Sequence, residues 1–150
     1  MTTSIRALLG FLAAALSVLT FHQGMWGLLY LAGWMARPPY PLNPSGPLGV
    51  PLLLNFCFWA GLYGMVYGLA LPRLVRMPGW LSGLLLGLLA ALVGWFVVAP
   101  LKGQPVAGGF DPTRMLISVL INGSWGVGVG IILSMLLPKA AQSRLASLRR

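Results

Sequence analysis

Four long apolar runs dominate the chain, and none has an Asp, Glu, Lys or Arg in its middle. They extend roughly over residues 5–31, 50–71, 79–99 and 115–137, each enough for the roughly 20 helical residues that span a hydrocarbon core. Only helices and closed barrels satisfy every backbone group in lipid, and runs of this length are helical. The reading is an all-α membrane protein, a bundle of four transmembrane helices in one domain covering residues 1–150. With 58% hydrophobic and 7% charged residues, it falls far below the charge of a soluble domain.

Proline and glycine punctuate the runs. Six prolines between Arg37 and Pro51 mark an extended connection (Pro38, Pro39, Pro41, Pro44, Pro47 and Pro51). A short turn runs from Pro72 to Pro78. A Pro/Gly loop follows from Pro100 to Thr113, and Pro138 precedes a basic tail. The N-terminal run imitates a signal peptide, but no small-x-small cleavage site follows it. It is read as a retained first helix.

Charge supplies the orientation. Arg6, Arg73, Arg76, Lys139, Arg144, Arg149 and Arg150 lie on one side, seven in all; Arg37, Lys102 and Arg114 lie on the other, three in all. The richer side faces the cytoplasm, so both termini are expected inside and both Pro/Gly loops outside, in a bacterial inner membrane. The net charge of +9 is then topology signal and attraction to anionic lipid at the cytoplasmic face, not a nucleic-acid surface. The tail is open to two readings, an amphipathic helix on the leaflet or a solvated segment.

Small residues recur every four positions: Ala60, Gly64 and Gly68; Gly79, Gly83, Gly87 and Ala91; Gly126, Gly130 and Ser134. These are expected to be packing seams, because close backbone approach holds helices together in lipid. A homodimer face is the alternative. A faint repeat aligns Trp59 with Trp125, Ala60 with Gly126 and Gly64 with Gly130, which suggests two parallel hairpins.

Several chemistries lack their residues. No carboxylate lies within a run for proton coupling, and one histidine, His22, cannot make a bis-histidine haem site. The single acid, Asp111, lies on a loop, away from any Ser–His pair. Cys57 is alone and reads as a small buried hydrophobe, and the seven methionines form no MxxM cluster. Enzymatic function, a metal and a resident cofactor are not expected.

Neutral polar and aromatic residues remain. Placed by helix rise, His22 lies about 25 Å along the first helix, Asn55 about 8 Å and Trp59 about 13 Å into the second. Trp95 lies about 8 Å from the end of the third helix, and Asn122 about 10–12 Å into the fourth. All fall in the outer half of the membrane. His22 with Gln23 and Trp26, Asn55 with Trp59, Trp95, and Asn122 with Trp125 are therefore candidate ligand-binding residues. Of His22, Asn55, Trp59, Trp95 and Asn122, at least three side chains are expected to face the interior, where amides and imidazoles find partners. Hydrogen-bonding glue between helices is the competing account.

The run from Gly83 to Gly103, with its exit Val98-Ala99-Pro100-Leu101-Lys102-Gly103-Gln104-Pro105, resembles the YagU-like family of small bacterial inner-membrane proteins. The resemblance implies few helices, an early Pro-rich outer loop and a loose link to acid tolerance. It carries no functional residue across.

Three functions are compatible with these features. The first is a non-enzymatic inner-membrane protein with an accessory, structural or stress-related role, partnered by the bilayer and by another subunit or a second copy. The second is a small carrier or pore for a neutral solute. The third is a quinone- or haem-associated subunit using His22.

Overall fold

The computed structural model describes residues 1–74 and 76–138; the basic tail lies outside the described residues. Four helices are long and apolar enough to cross a membrane: α1 Thr3–Leu31, α2 Leu52–Leu74, α3 Gly79–Leu101 and α4 Pro112–Leu136. A two-residue antiparallel pair, β1 Pro44–Ser45 and β2 Val50–Pro51, closes the first Pro-rich connection with Ser45 opposite Val50.

Helix ends follow local chemistry. Asp111 caps α4, its carboxylate accepting from the Thr113 and Arg114 amides at 2.8 and 3.1 Å, and Pro112 takes the first turn, where no N–H is needed. The helix therefore starts three residues before its apolar run. At the start of α2, the Leu52 and Leu53 amides donate to the Asn43 and Pro41 carbonyls of the loop, which satisfies two of the donors a helix start leaves free. α2 also continues through Pro72 to Leu74, beyond the expected stop; a single proline near the last turn removes only one ladder bond.

Two helices contain a wide turn. In α1 it covers Val18–His22, where the Gln23 amide reaches back to the Val18 carbonyl. In α3 it covers Gly94–Val98, where the Ala99 amide reaches the Gly94 carbonyl. The α3 turn has a local cause. Pro100 follows directly, and its ring would press on the carbonyl four residues back in a regular helix.

Glycine seams join the helices in antiparallel pairs. A Cβ on Gly10 of α1 would strike the Gly64 carbonyl of α2, and one on Gly68 would strike the Arg6 carbonyl. In the second pair, Gly83 lies on the Gly126 carbonyl, Gly87 on that of Asn122, and Gly130 on that of Gly79. Backbones this close leave room for no side chain, so van der Waals contact runs the length of each crossing. By contact, Gly64 and Gly68 correspond to Gly126 and Gly130. This differs by four residues from the alignment on the two tryptophans, and those tryptophans are not equivalent: Trp59 is 58% exposed and Trp125 3% exposed.

The hairpins dock through α1 and α4. Ser17 Oγ donates to the Trp125 carbonyl at 2.6 Å, Trp125 Nε1 to the Ala14 carbonyl at 3.1 Å, and Ser124 Oγ to the Phe21 carbonyl at 3.2 Å. Gly128 admits Ser17 and Phe21 against the α4 backbone. The core is Ala13, Ala14 and Val18 of α1 with Trp125, Val129 and Leu133 of α4, joined by Tyr67 of α2. α2 and α3 meet far less; Tyr67 Oη lies 2.6 Å from Ser82 Oγ near their shared turn. Large apolar side chains, including Leu12, Phe58, Val66, Leu89, Phe96 and Met135, stand exposed around the outside.

Candidate functional site

The polar residues of the four helices fall into three groups. The first belongs to the α1/α2 hairpin and its long connection. Gln23 is 1% exposed. Its Oε1 accepts the Tyr40 amide, and its Nε2 donates to His22 Nδ1 at 3.2 Å. Trp26 Nε1 donates to the Arg37 carbonyl at 2.8 Å. Tyr40 folds back over α1, and its hydroxyl donates to the Leu19 carbonyl at 2.9 Å. That carbonyl is available because the wide turn takes the Gln23 amide to Val18 instead. The helix irregularity and the loop contact are thus one device.

His22, Trp26 and Phe56 form an aromatic cluster, with ring centroids 5.5 to 6.3 Å apart and tilted by 45° to 47°. Asn55, half-buried at the start of α2, donates to Ser45 Oγ at 3.1 Å, and Ser45 Oγ donates in turn to the Val50 carbonyl at 2.9 Å. Asn55 therefore holds the small β pair. Four of the eight candidates, His22, Gln23, Trp26 and Asn55, are drawn together around this first connection.

The second group lies in the α3/α4 hairpin. Trp95 Nε1 donates to Ser118 Oγ at 3.1 Å, and Asn122 Nδ2 donates to the Ser118 carbonyl at 2.9 Å. Above them the connection forms a left-handed turn in which Ala107, Gly108, Gly109 and Phe110 all have positive φ, from 49° to 76°. A cleft of about 550 Å³ opens beside this turn, lined by Trp95, Gln104, Ala107, Gly108, Arg114 and Ser118 among others. That is within the size range of small-molecule sites.

The third group is the bundle core. Trp125 is buried there, its indole edge-on to Tyr63 with centroids 6.3 Å apart. It joins two helices and faces no cavity of the first or second group. Trp59 belongs to none of these. It points away from the interior and packs edge-on against Phe58, centroids 5.6 Å apart; its i,i+4 partnership with Asn55 does not bring them to one pocket. Cys57 is half-buried, its Sγ 3.9 Å from the Ala15 carbonyl.

Depth along a helix placed these residues in one layer, but it carries no information on lateral neighbours. Tyr40, Ser118, Ser17 and Ser124 do much of the bonding and were not among the candidates. Ser118 had a legible signal, since it sits one turn before Asn122 on the same face. Tyr40 had none, because nothing in a Pro-rich stretch marks a tyrosine for a left-handed conformation. Among the described residues, no group of three His, Cys, Asp or Glu side chains lies together. No family model, no curated protein and no solved structure matches this chain.

Proposed function

We propose that this chain is a non-enzymatic, multi-pass protein of the bacterial inner membrane with a structural or accessory role. Both termini lie in the cytoplasm and both Pro/Gly connections outside. The observation that carries this reading is where the intramembrane polar groups direct their hydrogen bonds. Gln23, Trp26, Asn55, Trp95, Trp125, Ser17 and Ser124 all bond to a connection or to a neighbouring helix, while Asn122 bonds one turn back on its own helix. Groups so engaged hold a structure in lipid, each contact worth roughly 0.6 to 2 kcal/mol. The exposed Leu, Val and Phe side chains around the helices support the bilayer as solvent. The excess of Arg and Lys at one end supports the orientation.

Cysteine labelling tests the placement. In a Cys57→Ala background, Leu48→Cys and Lys102→Cys should react with a membrane-impermeant maleimide in intact cells. Arg76→Cys should react only after permeabilisation. The reverse pattern would overturn the orientation, and equal labelling of all three would overturn the spans. For the structural role, His22→Ala and Asn122→Ala should each lower the thermal midpoint in detergent; unchanged midpoints for both would remove it.

A second reading, a small carrier for a neutral solute, is favoured by the cleft at Trp95 and Ser118. It requires solute flux into proteoliposomes, abolished by Ser118→Leu.

A further inference from the structure

The cleft beside the left-handed turn combines three things: space, a cation and an apolar surface below it. Arg114 is exposed, and its guanidinium has no ion-pair partner among the described residues. The single acid of the chain, Asp111, is close in sequence, but its carboxylate is engaged by the Thr113 and Arg114 backbone amides. The aliphatic stem of Arg114 lies over Gly108: a Cβ built on that glycine would come within 3.2 to 3.9 Å of the arginine's Cβ, Cγ and Cδ. Gly108 thus seats the arginine at the rim of the cleft.

Trp95, Ser118 and Gln104 also line the cleft, the Ser118 hydroxyl accepting from the Trp95 indole. One and two turns deeper than Trp95 on α3, Leu92 and Leu89 are exposed apolar side chains. A polar, cationic cleft therefore adjoins a surface suited to acyl chains. A tryptophan near the end of a span sits at headgroup depth by its own amphipathic character.

We propose that this cleft binds an anionic phospholipid of the surrounding bilayer, with the phosphate on the Arg114 guanidinium and the glycerol region against Ser118 and Gln104. The acyl chains run down α3 past Leu92 and Leu89. A guanidinium is matched to phosphate by its planar fork of donors, and an unpaired arginine at a membrane interface lacks only that partner. The proposal rests on the membrane reading above, and specifically on this end of α4 being at the headgroup level.

The test uses the full chain purified in mild detergent, exchanged into mixtures of phosphatidylcholine with phosphatidylglycerol, with retained lipid counted by native mass spectrometry. The wild type should retain phosphatidylglycerol in preference to phosphatidylcholine. Arg114→Ala should lower that preference about tenfold, the scale of one lost charge-assisted contact. Lys102→Ala, which removes a cation outside the cleft, should leave it unchanged. Arg114→Gln serves if the alanine variant misfolds, and the thermal midpoint of each variant reports folding directly. Equal retention by Arg114→Ala and wild type, or an equal loss with Lys102→Ala, would overturn the site. Displacement of the lipid by soluble glycerol phosphate at matched concentration would overturn the lipid as its occupant and leave a soluble phosphate in its place. Labelling at Leu48→Cys and Arg76→Cys reports membrane orientation independently, so failure of the topology and failure of the site give different results.

Discussion

The two long connections have similar composition and opposite construction. The first, between α1 and α2, is bound down by side chains from the helices: Gln23 and Trp26 from α1 and Asn55 from α2 all reach into it. The second, between α3 and α4, is shaped by its own backbone, a run of left-handed residues, and the helix polar groups beneath it bond to one another. Proline and glycine content alone therefore does not determine whether a loop closes over its hairpin. The deciding factor is whether the polar groups at the helix ends are spent on the loop. Where they are, the loop is tied to the helix ends; where they pair among themselves, a cleft lies beside the loop.

The largest expected effect separates the hairpins from their loops. Trp125→Ala removes a buried indole and its bond to Ala14, and should cost about 3 to 5 kcal/mol of stability in detergent unfolding. The protection of the first connection should nevertheless survive in the folded fraction, since each of its ties lies within the α1/α2 hairpin. Proteolysis of residues 37–48 that rises in step with global unfolding alone fits this view. Selective exposure of that segment by Trp125→Ala would mean that the connection depends on inter-hairpin packing, and the contrast would fail.

A smaller effect should divide the two connections. Gln23→Ala leaves the Tyr40 amide without its acceptor, an expected cost of about 1 to 3 kcal/mol. Hydrogen exchange should quicken between residues 37 and 48 and stay unchanged between 103 and 110. Trp95→Phe should cost less and leave exchange in both connections near the wild-type rate, because the indole bonds to Ser118 and not to the loop above. Faster exchange between residues 103 and 110 in Trp95→Phe would show that the second connection is also held from below.

How much of this was readable from sequence depends on the element. The four long helices were legible because each apolar run is uninterrupted and long enough to cross a membrane. The seams were legible because a small residue every fourth position can only be one stripe of a helix, and Gly83, Gly87, Gly126 and Gly130 do interlock. Gly10 and Gly128 were missed as contact points. Gly10 belongs to a stripe of only two small residues, with Ala14, cut short by Arg6 and Val18, and Gly128 lies off the stripe of Gly126 and Gly130, facing α1 instead. The polar candidates were legible as bonded groups but not as a shared site. Helix rise gives height, and the partners of His22, Asn55 and Asn122 were set by loop geometry and by which hairpin each belongs to. The left-handed residues Tyr40, Ala107 and Phe110 left no trace in composition, since non-glycine residues adopt that conformation only under tertiary constraint.

Tyr40 and Phe110 give the finest form of the comparison. Each is an aromatic residue held in the left-handed region, with φ of 59° and 58°. For a residue with a bulky Cβ substituent this costs roughly 1 to 2 kcal/mol, and asparagine reduces the penalty by bonding to its own backbone. The strain at Tyr40 is offset by its amide on Gln23 and its hydroxyl on Leu19. Phe110 is 65% exposed, and its amide bonds only locally, to Ala107. The same substitution should therefore change sign between the two loops. Phe110→Asn should raise stability by about 0.5 to 1 kcal/mol, as relief of backbone strain outweighs little lost packing. Tyr40→Asn should lower it by about 1 kcal/mol, because the hydroxyl bond is lost and the Leu19 carbonyl is left without its donor. Paired unfolding curves in one detergent measure both. If the two substitutions shift stability in the same direction, the strain in one loop is not offset by contacts absent from the other, and the distinction between a connection tied from the helices and one shaped by its own backbone does not hold at the residue level.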